Sequence, residues 1–332
     1  MITNYRHGNV LLADQNPRHK NREIIVISLI CLLTCVQQVN AGKIVAWGFN
    51  SDGEVSNVPT GTDFTAIAGY GYNGYALRSD GSIAAWGDNP YSQVSNAPTG
   101  TGFTAIAGGL YNGYALRANG SIAAWGWNGI GLISSTPAGT GFTAVAAGDY
   151  HVFALTANGS IVAWGDNRYG QVSNAPKGTG FKDIASGEDC GYALTANGTV
   201  VGWGDNTFGQ LSNIPTESGF VTIAAGPNTG YALRADGSIA VWGVDGGRIT
   251  NAPTGTGFTA IAGSWSTGFA LRSDGSIASW GWDGYYGLVS NAPKGTGFTS
   301  VAGGYYNGYA LTPEPATLLL FCLGMTLLRR KK

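Results

Sequence analysis

The sequence predicts an all-β protein, folded as a closed β-propeller of seven blades with four short strands in each blade. Seven tryptophans lead to this prediction, because six of them are spaced 39 residues apart and the seventh follows after 38. A fixed period of this length marks a repeat architecture, in which neighbouring units cover one another's apolar faces. Identical repetition makes these residues the predicted structural core: Trp47, Trp86, Trp125, Trp164, Trp203, Trp242 and Trp280.

One repeat, residues 102–128, shows how the residues predict strands. Phe103–Ala107 and Gly113–Arg117 are short runs of apolar and small residues, and Ser121–Trp125 follows them after an Asn-Gly turn. Asn-Gly readily adopts positive φ and so favours a tight hairpin. After a variable loop, most repeats carry Val-Ser-Asn or a close variant, which we interpret as the fourth strand. A connection with proline and glycine then interrupts regular pairing.

The two ends of the repeat region complement each other. It opens with a half-repeat of the third and fourth strands, Lys43–Val58, and closes with a half-repeat of the first and second strands, Phe298–Leu311. There are seven halves of each kind. We therefore expect the first and last halves to complete one blade and close the ring, which would leave no sheet edge to cap.

Composition excludes several classes of partner. The chain has 332 residues, of which 11% are charged, and 54 glycines. Residues 42–312 hold 10 of the basic and 16 of the acidic residues, which gives a net charge of about −6. A negative charge repels phosphate groups. We therefore expect no nucleic-acid partner. Cys190 is the one cysteine in this region, so an internal disulfide framework is excluded.

The N-terminal 41 residues are predicted to be a signal peptide with an extended basic segment. The apolar run Ile24–Val36 follows Arg18, Lys20 and Arg22. This is typical of a cleaved leader and is too short for a membrane-spanning helix. We expect residues 1–41 to be removed on export, which leaves the propeller at 42–312.

The C-terminal segment, residues 313–332, contains three parts in order. Pro313, Glu314 and Pro315 precede the apolar run Leu318–Leu328, and four basic residues end the chain. From the residues alone, a weak membrane anchor is the alternative. The pattern resembles a PEP-CTERM sorting signal, and that resemblance implies a bacterium of the Gram-negative type, transient membrane insertion through the C-terminal helix and cleavage by an exosortase-type processing enzyme.

The short distance between propeller and tail has a further implication. The repeats end at about Leu311, and the apolar run begins at Leu318. We expect this to crowd the propeller against the membrane and to limit the access of a large partner until the tail is removed.

The repeats themselves resemble the RCC1 repeat, a β-propeller family. The copy at Gly148–Gln171 matches best, and there His151 stands where that family commonly has histidine. Other copies depart from the family at that position, with Asn73, Asn112, Cys190, Thr229, Thr267 and Asn307. The repeats are similar in length and in residue pattern to those of the secreted bacterial propeller that inhibits β-lactamases.

No catalytic or cofactor-binding constellation is predicted. His151 is the single histidine of the repeats, and His, Cys and carboxylates do not show metal-ligand spacing. The recurring Gly-Thr-Gly-Phe lacks the third glycine of a dinucleotide loop. We interpret His151 as structural and expect neither an enzyme, nor a cofactor, nor a metal site.

Variation between repeats is concentrated at one end of the strands. Because strands alternate in direction, the loops after the first and third strands emerge on one face, and these loops are variable and aromatic. Tyr and Trp anchor interfaces, and a large aromatic surface usually means contact. The alternative is that these rings pack between blades. The candidate binding residues are Tyr70, Tyr72, Tyr111, Trp127, Asp149, Tyr150, Tyr169, Glu188, Phe208, Trp265, Trp282, Tyr285 and Tyr306.

The sequence as a whole predicts an exported, non-catalytic binding propeller of a bacterial envelope or extracellular matrix. Its partner would be an unknown protein or exopolysaccharide, held by the aromatic loops. The alternative is a secreted protein inhibitor of an extracellular enzyme, which similarity to the β-lactamase-inhibiting propeller suggests. The nuclear role of RCC1 relatives is disfavoured by the export signals and by the acidic repeats.

Overall fold

The computed structural model describes residues 41–245 and 250–313, and all regular elements in these ranges are β-strands. Glu314 and Pro315, and therefore most of the sorting motif, lie outside the described residues, as does the leader. The strands are β1 (Gly42–Gly48), β2 (Phe64–Tyr70), β3 (Asn73–Arg78), β4 (Ile83–Gly87), β5 (Phe103–Gly108), β6 (Asn112–Arg117), β7 (Ile122–Gly126), β8 (Phe142–Ala147), β9 (His151–Thr156), β10 (Ile161–Gly165), β11 (Asp183–Ser186), β12 (Cys190–Leu194), β13 (Val200–Gly204), β14 (Phe220–Gly226), β15 (Thr229–Arg234), β16 (Ile239–Gly243), β17 (Phe258–Gly263), β18 (Thr267–Arg272), β19 (Ile277–Gly281), β20 (Ser300–Gly303) and β21 (Asn307–Pro313).

The strands form antiparallel triples, which we number as blades along the chain. Blade 1 is β2-β3-β4, and blades 2 to 6 follow in order up to β17-β18-β19. Blade 7 is β20-β21-β1, and a single pairing of Gly42 with Phe64 joins it to blade 1. The all-β prediction is confirmed.

Blade 7 combines both ends of the propeller, as the complementary half-repeats predict. All seven residues of β1 pair with β21, from Gly42↔Pro313 to Gly48↔Asn307. The first strands of successive blades contact one another in order, and β20 of blade 7 contacts β2 of blade 1. These contacts favour a closed ring of seven, which stays a prediction because the sheets themselves are not joined around the circle.

The prediction of four strands in each blade is wrong for the described residues. The segment expected as the fourth strand is a turn, shown by the Ser135 N–H that donates to the Gly131 carbonyl at 2.8 Å. The Asn128 side-chain oxygen accepts from the N–H groups of Ile133 and Ser134 at 2.9 and 3.1 Å. An asparagine that takes up backbone N–H groups locally competes with a strand ladder, so the Leu-Ile-Ser and Val-Ser-Asn segments curl instead of pairing.

The seven repeated tryptophans are buried between blades, each no more than 6% exposed. The Trp164 indole N–H donates to the Leu132 carbonyl of the preceding blade at 3.0 Å, and Trp47 does the same to Leu288 at 3.1 Å. A Cβ on Gly113 would lie 2.1 Å from the Trp125 ring, so glycine is required beneath the indole. Large aromatic rings of this kind dominate core energetics.

Candidate binding face

The propeller has two ends with different structure. We call loop face the end that carries the loops after the first and third strands, and turn face the end that carries the hairpin turns and the connections between blades. On the turn face the Phe103 N–H donates to the Gly81 carbonyl at 3.1 Å, and later blades repeat this bond. On the loop face, Gln171 donates its side-chain N–H to Asp189 at 3.1 Å. The variable aromatic residues lie in the loops after the first and third strands, and they therefore share the loop face.

A hydrogen-bonded bridge spans the centre of the loop face. Asp149 Oδ1 accepts from the Tyr70 hydroxyl at 2.9 Å and from the Tyr305 hydroxyl at 2.5 Å. The three residues come from blades 3, 1 and 7. Tyr70 also lines a cavity of about 380 Å³ that is formed by the first strands of all the blades, from Ile67 to Gly303.

Burial governs the ionisation of this bridge. Asp149 is 7% exposed, and burial raises its pKa to about 7, although both phenol hydrogen bonds favour the charged form and offset part of the shift. Burial and the neighbouring Asp149 carboxylate raise the pKa values of Tyr70 and Tyr305 well above those of a free phenol. The bridge therefore contains two neutral phenols and a carboxyl group that titrates near neutral pH.

Backbone hydrogen bonds tie the inner loops of neighbouring blades together. The Asp149 N–H donates to the Glu188 carbonyl at 3.4 Å, and the Glu188 N–H donates to Pro227 at 3.1 Å. The Tyr305 N–H donates to the Gly71 carbonyl at 2.8 Å, which links blade 7 to blade 1. The inner rim is thus held by main-chain contacts that do not depend on the variable side chains.

Carboxylates flank the bridge on one side. Burial raises the pKa values of Glu188 and Asp189, and their proximity to one another adds to the shift of Glu188. Asp205 accepts from the Gln210 side chain at 2.8 Å. Over the described part of the loop face there are ten carboxylates and one cationic side chain, Arg168, a formal balance of −9. The turn face has eight basic and six acidic side chains, a balance of +2.

Aromatic rings form two clusters on the loop face. The first surrounds Tyr306 at the junction of blades 6, 7 and 1, where Phe49 lies 4.9 Å from Tyr286 and Trp265 lies 4.8 Å from Tyr305. The second lies over blades 1 to 3 and consists of Tyr91, Tyr111, Trp127 and Tyr150, with ring separations of 4.8 to 6.4 Å. Tyr72 belongs to the first cluster, 5.7 Å from both Phe49 and Tyr305.

The outer loops expose individual rings. Phe208 is 66% and Tyr285 93% exposed, and Tyr169 and Trp282 are each 47% exposed. The candidate residues thus divide into those of the bridge, Tyr70 and Asp149, those whose rings belong to a cluster, and those whose rings are exposed on their own. Glu188 belongs to the carboxylates beside the bridge. Tyr305 lies in one of the aromatic loops but is not among the candidate residues, and nothing local in the sequence indicates that its hydroxyl reaches a residue 156 positions away.

His151 and Cys190 are buried beneath this face. His151 is fully buried, and its Nε2 lies 2.8 Å from the Ser186 hydroxyl. Burial lowers its pKa to about 4, so the ring is neutral at pH 7, and burial raises the pKa of the Cys190 thiol to about 12. These contacts agree with a structural interpretation of His151. Within residues 41–245 and 250–313, no group of three or more His, Cys, Asp or Glu side chains is placed to hold a metal ion.

Family models match two parts of the chain. The model of the regulator of chromosome condensation (RCC1) repeat matches residues 142–171 and 181–210, and the model of the PEP-CTERM protein-sorting motif matches residues 311–332. The chain is an RCC1-like propeller with a PEP-CTERM sorting motif. The motif implies exosortase processing and indicates export with association to the cell envelope. No helix in the described part of the chain is long and apolar enough to cross a membrane.

Solved structures support the fold of this RCC1-like propeller. Prp20p of Saccharomyces cerevisiae matches with a TM-score of 0.66 and 18% identity, over 87% of this chain and 95% of its own. Human WBSCR16 matches with a TM-score of 0.66 and 17% identity, over 83% and 100%. The ectodomain of the Physcomitrella patens receptor kinase CR4 matches with a TM-score of 0.62 and 25% identity, over 77% and 71%. No curated protein sequence matches significantly.

Proposed function

We propose that this protein is an exported, non-catalytic binding propeller whose loop face holds a protein or glycan partner at the bacterial envelope or in the extracellular matrix. One observation supports this most directly. Of the seven large apolar side chains that are exposed among the described residues, six lie on the loop face: Tyr91, Ile130, Tyr169, Phe208, Trp282 and Tyr285. The seventh, Val221, lies in β14.

Exposed rings cost solvation free energy, and a surface that concentrates them on one side usually contacts another molecule. Tyr and Trp bury a large area on binding and lose few rotamers. The inner rim supports the proposal, because its backbone hydrogen bonds supply a rigid base on which the outer loops vary. Binding sites are typically variable loops on such a scaffold.

Charge narrows the class of partner. A face with a formal balance of −9 repels phosphates and attracts cationic groups, while neutral glycans remain compatible with its aromatic rings. The inhibitor alternative stays a prediction, because no described contact distinguishes an enzyme partner from any other protein.

The test compares two sets of variants of the mature protein. Phe208→Ala, Trp282→Ala and Tyr285→Ala are combined in one, and Val221→Ala serves as the matched control away from the loop face. Both are applied to a glycan array and to immobilised polylysine at low and high salt, and their melting temperatures are measured. We expect the triple variant to lose binding at an unchanged melting temperature while the control keeps both.

The two probes separate the partner classes. Binding to glycan spots that is insensitive to salt favours a sugar, and salt-sensitive binding to polylysine favours a basic protein. Unchanged binding by the triple variant would refute the loop face as the binding surface.

A further inference from the structure

Both ends of the propeller leave it at one place on the turn face. β21 runs from the loop after β20, on the loop face, to Pro313, and β1 runs in the opposite direction from Gly42. Gly42 and Pro313 are paired residues at the same end of these strands. The chain therefore enters β1 and leaves β21 at paired residues on the turn face, in blade 7.

The connection from this point to the apolar run of the tail is short. The PEP-CTERM match begins at residue 311, inside β21. Only residues 314–317 separate Pro313 from Leu318. Four residues span at most about 14 Å when fully extended. Proline at 313 and 315 restricts φ and so limits the bending of this connection further.

The loop face lies at the far end of the same strands. β21 has seven residues, and at about 3.3 Å per residue it separates the two faces by about 20 Å. A tail anchored in the bilayer therefore brings the turn face to the membrane and leaves the loop face farther out. The crowding that the short connection predicts falls on the turn face.

The charges of the two faces favour the same orientation. The described part of the loop face, at −9, is repelled by anionic lipid headgroups, whereas the turn face, at +2, is not. This repulsion depends on the charges of the loop face, and the position of Gly42 and Pro313 depends on the pairing of β1 with β21. The two arguments are therefore independent. Geometry and electrostatics thus agree.

We propose that the precursor, while it still carries its tail, is oriented with the turn face towards the membrane and the loop face away from it. If the loop face is the binding surface, which rests on the proposed function, a partner reaches it before the tail is removed. Cleavage then changes where the protein resides and leaves the accessibility of its loop face unchanged. The proposal differs here from the expectation that processing is needed to admit a large partner, which stays a prediction.

Orientation is measured with variants of the full chain that carry one accessible cysteine, in liposomes that contain anionic lipid. Cys31, Cys35 and Cys322 are replaced by serine, and the fully buried Cys190 is kept. A fluorophore is attached at Tyr285→Cys on the loop face or at Asn119→Cys on the turn face. Nitroxide-labelled headgroups then quench whichever probe lies near the bilayer. A second pair, Phe208→Cys and Asp274→Cys, repeats the comparison in other blades.

We expect headgroup quenching to be about twofold or more stronger on the turn face, because about 20 Å separate the probes. Detergent-solubilised protein should lose the difference. Equal quenching at both faces, or stronger quenching at position 285, would overturn the proposal. The measurement uses no ligand, so loss of the proposed binding function leaves its outcome unchanged. Variants with altered melting temperatures are replaced by the second pair.

Discussion

Asp149→Asn should change how the stability of the propeller depends on pH. Asn keeps an oxygen that can accept from the Tyr70 and Tyr305 hydroxyls but removes the buried charge. Burial raises the pKa of Asp149 from 3.8 to about 7. Between about pH 4 and about pH 7, the Asp149 carboxyl therefore keeps its proton in the folded protein, whereas in the unfolded chain it has already released it.

The sign and size of the effect follow from this difference. Raising the pH from about 4 to about 7 destabilises the folded wild type through Asp149, and the loss is complete above the folded pKa. Between the pKa of 3.8 and the folded value of about 7, each pH unit costs about 1.4 kcal/mol, which gives about 4 kcal/mol in total. The variant lacks this term, so we expect it to gain about 4 kcal/mol relative to the wild type between pH 4 and pH 8.

Urea denaturation of both proteins at several pH values measures this difference directly. Asp274→Asn is the control, because that aspartate is exposed in a turn and the backbone N–H of Ser276 lowers its pKa. Its contribution runs in the opposite sense and is lost as the pH falls. If the stability difference between Asp149→Asn and wild type is the same at pH 4 and pH 8, the carboxyl group is not held neutral by burial and the reasoning fails.

Four further substitutions test the packing and the loops by thermal or urea unfolding. Glu54→Gln should raise stability at pH 7 and have no benefit near pH 4, because burial raises the pKa of this fully buried carboxyl; an equal effect at both pH values would contradict this. Asn167→Ala should cost about 1 kcal/mol, since it removes the acceptor for two backbone N–H groups, and no loss would show that the turn holds without it. Trp125→Ala should cost about 3 to 5 kcal/mol, whereas Tyr285→Ala, at a position 93% exposed, should cost less than about 0.5 kcal/mol; similar costs at the two positions would contradict the assignment of core and surface.

The spacing of the tryptophans made the blades predictable, because each of them is buried in the same place of its unit and most of them make the same hydrogen bond to the preceding blade. Trp164 and Trp203 both donate to a carbonyl 32 residues earlier, at 3.0 and 2.9 Å. The fourth strand was predicted wrongly for a local reason. Of the residues in Val-Ser-Asn only valine favours a strand, and an upstream side-chain oxygen, such as Asn167 Oδ1, accepts from the N–H groups of Val172 and Ser173 at 3.0 and 2.8 Å.

The centre of the loop face could not be predicted in the same way. Tyr70 and Asp149 look like exposed loop residues in their own repeats, and each occurs once. Their contact joins blades 1 and 3, at a separation of 79 residues. A residue that occurs in only one repeat leaves no periodic pattern in the sequence, so the contact between two such residues cannot be predicted from the repeats. Variation between the repeats indicated that the loops could bind a partner. The burial of Asp149 and its raised pKa depend on contacts between several blades, which the sequence of one repeat does not show.

The pairing of β1 with β21 constrains the order in which the protein can fold. β1 is the first strand of the propeller to be made, and its partner is the last, with the Thr312 hydroxyl donating to the Lys43 carbonyl 269 residues away. Blades 1 to 6 are each built from neighbouring segments and need only local pairing. Blade 7 cannot form until the chain has been delivered up to residue 313. Closing a loop of that length carries an entropic cost and slows folding. A chain exported from its N-terminus would therefore keep β1 unpaired throughout transit and complete blade 7 only as the sorting motif arrives.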